Sequence, residues 1–169
     1  VILHLSMEPE DHLKVKFDGS MILVSMPGSQ IRDVVQSYLT SFPQAKGINN
    51  HMGSKATADV RLMDEVLSVL KQNGLFFIDS RTSRKSIAKT EAVRLGVKYS
   101  QNNVFLDVDL DPKVIERRLD DLVKLARFKG SAVGIGHITR GETIDILRKK
   151  IPEYELSGVK FVFASEIVK

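Results

Sequence analysis

Short apolar runs alternate along this chain with longer segments in which apolar residues recur every three or four positions. Runs of the first kind are typical of buried strands, and segments of the second kind are typical of amphipathic helices. Strands are predicted at residues 1–5, 46–50, 75–79, 97–99, 104–107, 132–136 and 159–163. Helices are predicted at residues 31–39, 60–70, 87–95, 112–129 and 142–150. This alternation indicates parallel βαβ units and an α/β fold.

Local signals mark the limits of several predicted helices. Ser29 stands where it can cap the first helix, and either Thr57 or Asp59 can cap the second. Asp111 precedes a proline and opens the fourth and longest helix. The last helix is expected to end before Pro152, because proline interrupts the hydrogen bonding of a helix interior.

The composition is that of one globular domain. The 169 residues are 43% hydrophobic, which is enough to bury a single core. The sequence has no low-complexity linker and no internal repeat, so residues 1–169 are predicted to form one domain. The net charge of +4 comes from charges of both signs interspersed along the helices, which argues against a nucleic-acid partner.

Cysteine is absent from the sequence. Its absence excludes disulfides, a thiolate nucleophile and a zinc site built on sulfur. A transition metal would have to be held by histidine, aspartate or glutamate. No apolar run approaches the ~20 residues that span a bilayer, and no signal-peptide pattern is present at the start.

Two segments near the start stand apart from this pattern. The chain opens at Val1 inside a strand-like run, so we expect residues before it. Residues 14–26 carry a turn signal at 17–20 between two short extended pieces. His12, which precedes them, is expected on an ordinary polar surface.

Polar residues follow the predicted strands at the points where the strands end. In a parallel α/β sheet these ends lie along one edge, where ligand and catalytic groups collect. Three of the four histidines obey this rule. The strand-end residues are His4, Asn49, Asn50, His51, Asp79, Asp107 and His137.

The strand-end histidines favour a metal site. One such histidine would be explained by a capped carbonyl or a wet pocket, but three in equivalent positions are harder to explain in that way. Neutral imidazoles and carboxylates suit zinc or a similar divalent ion, which polarises a carbonyl and activates water. A divalent metal, with zinc as the first candidate, is therefore the expected cofactor.

The acidic residues differ in what their surroundings indicate. Glu8 lies four residues after His4 and could join it at a metal or carry a proton, but its polar surroundings equally suit a solvated charge. Asp79 ends an apolar strand, where an unbonded carboxylate is unfavourable, so a role in orienting a histidine or binding metal is favoured. Arg81 could pair with Asp79. Asp107 is instead expected to support the start of the following helix.

Four strings of residues stand out beyond these patterns. They are LHLSMEP at residues 3–9, GINNHMGS at 47–54, FFIDSRTS at 76–83 and Gly136 followed by His137. In this order they resemble the divergent polysaccharide deacetylase family, and the resemblance extends from Val1 to the last predicted strand. It implies an α/β fold of the deacetylase type, an irregular seven-stranded β/α barrel. The first strand or strands and the catalytic aspartates would then lie before Val1, and the protein would be extracytoplasmic.

The resemblance implies roles for individual residues. In the wider superfamily one Asp and two His hold a metal, a second Asp acts as base and a late His acts as acid. His4 and His51 are the implied metal ligands, with Glu8 at the position of the usual second histidine. His137 resembles the late histidine, and Asp79 resembles the acidic residue that orients its neighbours. His137, Asp79 and Glu8 are therefore the candidate catalytic residues.

These roles imply removal of acetyl groups from a polysaccharide or a cell-envelope glycan. The metal would bind the acetyl carbonyl and activate water, and His137 would protonate the departing amine or hydroxyl. Asn50 would help to stabilise the oxyanion, and together with Ser80 and Arg81 it forms the candidate substrate-binding set. An acetylated glycan is thus the expected partner, and the oligomeric state is left open.

Two rival functions remain open. A catalytically degenerate protein with the same fold would bind a glycan in the envelope without turnover, and Glu8 at a histidine position favours it. A metal hydrolase acting on phosphate esters would need cations at the site, for which the candidates are Arg81, Arg84, Lys85 and Arg140. Fold alone does not decide among these functions.

Overall fold

The computed structural model describes residues 1–11 and 21–169. Six strands occur in these residues: β1 (Leu3–Met7), β2 (Gly47–Met52), β3 (Phe76–Asp79), β4 (Tyr99–Gln101), β5 (Val104–Phe105) and β6 (Gly134–Ile135). The α-helices are α1 (Gly28–Ser41), α2 (Val60–Gln72), α3 (Ala88–Leu95), α4 (Pro112–Lys129) and α5 (Gly141–Leu156). The strands pair in parallel, so the α/β prediction is confirmed. The turn predicted at residues 17–20 and His12 lie outside the described residues.

The chain divides into two compact units. Unit 1 comprises Val1–Gln101 with Val168–Lys169, and unit 2 comprises Asn102–Ile167. Each unit has its own parallel sheet. One domain over residues 1–169 and a seven-stranded barrel both stay predictions.

Unit 1 is built on a parallel sheet in the order β1-β2-β3-β4. β1 pairs with β2 so that Ser6 lies opposite His51, and β2 pairs in turn with β3. β3 pairs with β4 so that Asp79 lies opposite Gln101. The carboxyl ends of the strands therefore lie along one edge, as expected when parallel strands are joined by helical crossovers.

The core of unit 1 lies where α1, α2 and α3 cover one face of this sheet. Alternate strand residues such as Leu5, Ile48 and Phe77 are buried in it, and burial of each such side chain contributes about 1.5–3 kcal/mol. In β1 the intervening residues point to the other face, and His4 is among them. The prediction that His4 ends the first strand is wrong, because β1 continues to Met7 in its pairing with β2. The largest helical contribution comes from α2, with Leu62, Met63, Val66, Leu67, Val69 and Leu70.

Two of the three predicted helix caps are confirmed. Asp59 caps α2, because its side chain accepts a hydrogen bond from the Leu62 N–H at 2.7 Å. Asp111 caps α4 through a backbone N–H of the first turn at 2.8 Å. The prediction for Ser29 is wrong, since α1 begins at Gly28, one residue before Ser29 and directly after Pro27. The start of α1 has no side-chain cap.

Unit 2 holds a two-stranded parallel sheet, β5 with β6, together with α4 and α5. The strand predicted at residues 159–163 is wrong, because within the described part of the chain this segment forms no strand. A strand needs backbone hydrogen bonds to a neighbour, whereas the Phe163 N–H bonds to the side chain of Glu166.

The predicted end of the last helix is also wrong, since α5 continues through Pro152. A proline removes only one bond of the helical ladder, and packing can outweigh that loss.

An open groove of about 1000 Å³ lies within unit 2. Leu122 of α4 and Leu147 of α5 line it, and residues 158–167 border it. Phe161 and Val162, which line the groove from this segment, are 40% and 47% exposed. The apolar sides of the two helices thus remain partly open, because the sheet that they accompany has only two strands.

Candidate functional site

Two histidines lie side by side on neighbouring strands of unit 1. His4 and Ser6 are alternate residues of β1, and Ser6 lies opposite His51 of β2, so both imidazoles project from the same face. His51 Nδ1 lies 3.0 Å from His4 Nε2. The ring centroids are 4.8 Å apart, and the ring planes meet at 65°. Both residues are exposed, and the two nitrogens are within hydrogen-bond distance of each other.

This nitrogen pair fits two positions of a metal site. In tetrahedral zinc sites the metal–nitrogen distance is ~2.0–2.1 Å, which separates two ligand nitrogens by ~3.3 Å. The 3.0 Å between His4 and His51 is close to that separation. Within residues 1–11 and 21–169, no group of three or more histidine and acidic side chains is arranged to hold a metal. As a metal site, the pair would supply two of the ligands, and the roles of His4 and His51 as metal ligands stay predictions.

β2 ends in a kink that begins directly after His51. Met52 has φ +54° and Gly53 has φ +86°, so two successive residues are left-handed. Residues other than glycine rarely adopt this backbone conformation, and a Cβ at Gly53 would lie 2.9 Å from the Cβ of Met7. The Thr57 hydroxyl donates to the Gly53 carbonyl at 2.7 Å and holds the turn.

A buried hydrogen-bond network joins this kink to the end of β3. The fully buried Asn50 side chain accepts from the Ser80 N–H at 2.8 Å and donates to the Met52 carbonyl at 2.7 Å. The Ser80 hydroxyl donates to the Asn50 carbonyl at 2.6 Å and accepts from the Asn49 side chain at 3.1 Å. We call these four bonds the Asn50–Ser80 network. These contacts are internal, and the substrate-binding roles of Asn50 and Ser80 stay predictions.

Asp79 holds the turn that follows β3. The side chain is 1% exposed, and it accepts the Arg81 N–H at 2.7 Å and the Ser86 hydroxyl at 2.7 Å. Burial raises the pKa of Tyr99, and the charge of Asp79 adds to the rise, so the phenol stays protonated and donates to Asp79 at 3.4 Å. Arg81 is left-handed at φ +56°. Asp79 thus pairs with the backbone of Arg81, and the catalytic role of Asp79 and the substrate-binding role of Arg81 stay predictions.

Glu8 lies beside the end of β1. The residue is 6% exposed, and its carboxylate accepts the Lys55 ammonium at 2.6 Å and the Val24 N–H at 2.6 Å. The alternative of a solvated charge is therefore wrong, because a burial of this extent requires partners. Its role as a proton carrier stays a prediction.

Unit 2 carries a separate histidine–aspartate pair. His137 Nδ1 lies 2.9 Å from Asp107 Oδ1, and the His137 N–H donates to Asp107 Oδ2 at 2.6 Å. The Thr143 hydroxyl donates to the same oxygen at 3.0 Å. The His137 side chain is 52% exposed, whereas that of Asp107 is 1% exposed. The ring is therefore held through Nδ1, and Nε2 remains on the side away from Asp107.

The charge state of Asp107 follows from these bonds. Burial alone would raise the pKa of the Asp107 carboxyl, but the bonds from His137 and Thr143 outweigh burial and hold that pKa below its usual value. Arg140 also donates to the Asp107 carbonyl. Asp107 therefore remains ionised at neutral pH and accepts the Nδ1–H of His137.

The expectation that Asp107 supports the start of a helix is wrong, because its carboxylate bonds to His137 while Asp111 caps α4. Sequence reasoning thus missed a residue that shapes the site. The signal was present: Asp107 ends an apolar run at 104–107, as Asp79 ends the run at 75–79.

The phosphate-ester alternative requires cations at the site, and two of the four candidate cations have other partners. Lys85 pairs with Glu10 at 2.9 Å, and Arg140 donates to the carbonyl of Asp107. These two of the four candidates are engaged by neighbouring groups, which weakens that alternative.

The sequence as a whole is similar to known proteins. The model of the divergent polysaccharide deacetylase family matches residues 1–168. The chain belongs to this family. An uncharacterized protein from Haemophilus influenzae (strain Rd) is 36% identical over 99% of this chain and 60% of its own length. The uncharacterized protein YibQ of Escherichia coli K12 is 32% identical over 89% of this chain and 46% of its own length.

A solved structure has the same fold. The crystal structure of an uncharacterized protein from Agrobacterium tumefaciens C58 matches with a TM-score of 0.94 at 24% identity, over 99% of this chain and 68% of that one. The chain spans 60% and 46% of the two curated relatives. Among the described residues, no helix is long and apolar enough to cross a membrane.

Proposed function

We propose that this deacetylase-family protein is a metal-dependent hydrolase that removes acetyl groups from a polysaccharide or cell-envelope glycan. The observation that carries the proposal is the His4–His51 pair, whose ring nitrogens lie 3.0 Å apart on an exposed face. Family membership supports the substrate class. An extracytoplasmic location belongs to the same proposal, because envelope glycans lie outside the cytoplasm.

His4 and His51 are the proposed ligands of a divalent ion, with zinc as the first candidate. When bound, such an ion polarises a carbonyl and lowers the pKa of coordinated water to ~7. Both imidazoles bind as neutral rings, so protonation competes with binding. Their positions on paired strands reduce the conformational freedom that binding must remove, because the backbone is already ordered by the sheet.

His137 is the proposed proton donor to the departing amine or hydroxyl. Asp107 engages Nδ1 at 2.9 Å, so the proton leaves from Nε2 on the opposite side of the ring. The charge of Asp107 stabilises the ring while it carries two protons, and the carboxylate itself does not take up a proton. Asp107 is therefore a positioning residue, and His137 is the catalytic one.

The turn after β3 is the proposed substrate-binding side. Arg81 is partly exposed, and Asp79 holds its backbone through the N–H at 2.7 Å. The guanidinium carried by this fixed backbone can donate to sugar hydroxyl or carbonyl oxygens. The oxyanion would draw on such donors as well as on the metal.

Acetate release from acetylated oligosaccharides tests the proposal. The full-length protein, loaded with zinc, is expected to release acetate from an N- or O-acetylated glycan. His137→Gln should lower the rate by about 10²–10⁴-fold, because it removes a general acid, and should keep its metal. Lys89→Gln, a change on the exposed face of α3, serves as the matched control with an unchanged rate. Stoichiometric metal without acetate release from any acetylated glycan would reject the hydrolase.

A second candidate is glycan binding without turnover. The observation that favours it is the ion pair between buried Glu8 and Lys55 at 2.6 Å, because the resemblance places Glu8 where the wider superfamily has its second histidine. The same assay separates the two functions. Saturable glycan binding, measured by calorimetry, with no acetate released would support this second candidate.

A further inference from the structure

We propose that the Asn50–Ser80 network positions His51 against His4 and thereby sets the affinity of this histidine pair for a divalent cation. The metal in this inference rests on the proposed function. The positioning itself rests on the hydrogen bonds around the kink in β2, and it can be tested without any metal.

The direction of the His51 ring depends on its backbone. The His51 ring is exposed and contacts the ring of His4, and the backbone at residues 50–52 sets the position from which the ring reaches that contact. The residues on both sides, Asn50 and Met52, are held by hydrogen bonds to their carbonyls. The Asn50 carbonyl accepts the Ser80 hydroxyl at 2.6 Å, and the Met52 carbonyl accepts the Asn50 side chain at 2.7 Å.

The left-handed backbone at Met52 needs this support. A non-glycine residue at φ +54° is energetically unfavourable and persists only where neighbouring groups enforce it. The Met52 carbonyl accepts a second bond, from the Thr82 hydroxyl at 2.8 Å. Without these bonds Met52 would relax towards the extended strand conformation, and the peptide that follows His51 would rotate.

The burial of the network argues against direct contact with substrate. Asn50 is 0% exposed and Ser80 is 3% exposed. The Asn50 oxygen is engaged by the Ser80 N–H at 2.8 Å, so it could meet a substrate only by breaking the network. Partners in this second layer commonly orient metal ligands, and their loss lowers metal affinity. Asn50 and Ser80 are therefore positioning residues.

Three variants and one control test the inference in the full-length protein. Ser80→Ala and Asn50→Asp remove bonds of the network, and Thr82→Val removes only the exposed bond to Met52, so at least one variant should fold. Asn73→Ala removes a similar side-chain bond, to the Val69 carbonyl at 2.8 Å, at the end of α2. Zinc affinity is measured by competition with a chromogenic chelator. Ring-to-ring nuclear Overhauser effects between His4 and His51 are measured without metal.

We expect zinc affinity to fall by about 10–100-fold in Ser80→Ala and Asn50→Asp. A smaller loss is expected in Thr82→Val and none in Asn73→Ala. The ring-to-ring effect should weaken in the same order. Unchanged zinc affinity in folded network variants, with only the thermal midpoint lowered, would overturn the positioning role. If the wild-type protein binds no zinc, the proposed function fails, and an undiminished ring-to-ring effect in Ser80→Ala would then separately overturn the positioning.

Discussion

At the residue scale, the polar groups beside the strand ends divide into exposed rings and buried anchors. His4, His51 and His137 are exposed, whereas Asn50 and Asp107 are buried and hydrogen-bonded. Buried polar groups require such partners. Asp107 holds His137 through Nδ1, so this imidazole keeps Nε2 for a proton. The buried anchors thus fix how the exposed rings are presented.

Thr143→Val tests the bond that helps to ionise Asp107. The lowered pKa of Asp107 stabilises the fold above the unfolded-state pKa of ~3.9, and this contribution is lost as pH falls through the folded-state pKa. Removing the Thr143 hydroxyl should raise that pKa towards its usual value. The free energy of unfolding at pH 7 should fall by about 1.5–3 kcal/mol, and the acid-induced loss of stability should begin at a higher pH.

Urea unfolding at neutral and acidic pH measures this effect. Thr57→Val is the matched control, because Thr57 is equally buried but donates to an uncharged carbonyl, that of Gly53. Its loss of stability should therefore be nearly independent of pH. A loss in Thr143→Val that is the same at pH 7 and below pH 3 would contradict the role assigned to the charge of Asp107.

Gly53→Ala tests the close approach at the kink. The variant combines a left-handed backbone with a Cβ 2.9 Å from Met7, and we expect it to lower the free energy of unfolding by about 1–3 kcal/mol. Gly74→Ala is the control, since φ is +66° there but nothing lies within 4 Å. Thermal unfolding of both variants separates the contact from the backbone strain. Equal losses would show that the contact with Met7 contributes nothing.

Part of the site follows from the sequence alone. His51 ends β2 as predicted, but His4 comes close to it because Ser6, two residues after His4 and on the same face of β1, lies opposite His51. Their 3.0 Å nitrogen separation depends on strand register and on the kink at Met52, and neither is encoded in a local pattern. The Asp107–His137 bond spans 30 positions of the chain, so only the apolar run before Asp107 could have indicated it.

At the scale of elements, the local apolar pattern predicted helices and strands correctly where the segment also packs against a neighbouring element. The helices and the strands of unit 1 follow the apolar periodicity, because their buried faces pack in one core. Residues 159–163 have the composition of a strand but form none. A strand is defined by its partner, and a partner cannot be deduced from β-branched and aromatic residues alone.

Asp59→Ala tests the start of α2. In the native chain Asp59 accepts the Leu62 N–H at 2.7 Å. The variant leaves this N–H without a side-chain acceptor. The free energy of unfolding should fall by about 0.5–2 kcal/mol. Asp33→Ala, an exposed aspartate within α1, removes the same charge without a cap and should change stability little. Chemical unfolding of both variants gives the comparison, and equal effects would show that charge rather than capping is responsible.

At the scale of the whole molecule, the alternation of strands and helices was enough to predict the α/β class, and the motifs were enough to predict the family. The number of strands and the two compact units could not be predicted in this way. Both depend on how segments associate over long sequence separations. The curated relatives are longer than this chain, so metal binding by His4 and His51 is best tested in the full-length protein.

The most direct test is the metal content of the desalted full-length protein, measured by elemental analysis for the wild type and for His4→Ala and His51→Ala. We expect about one divalent ion per wild-type chain and a clear loss in both variants, with Lys89→Gln as an unchanged control. A wild type without retained metal, or variants that keep the full metal content, would contradict the assignment of the His4–His51 pair as a metal site.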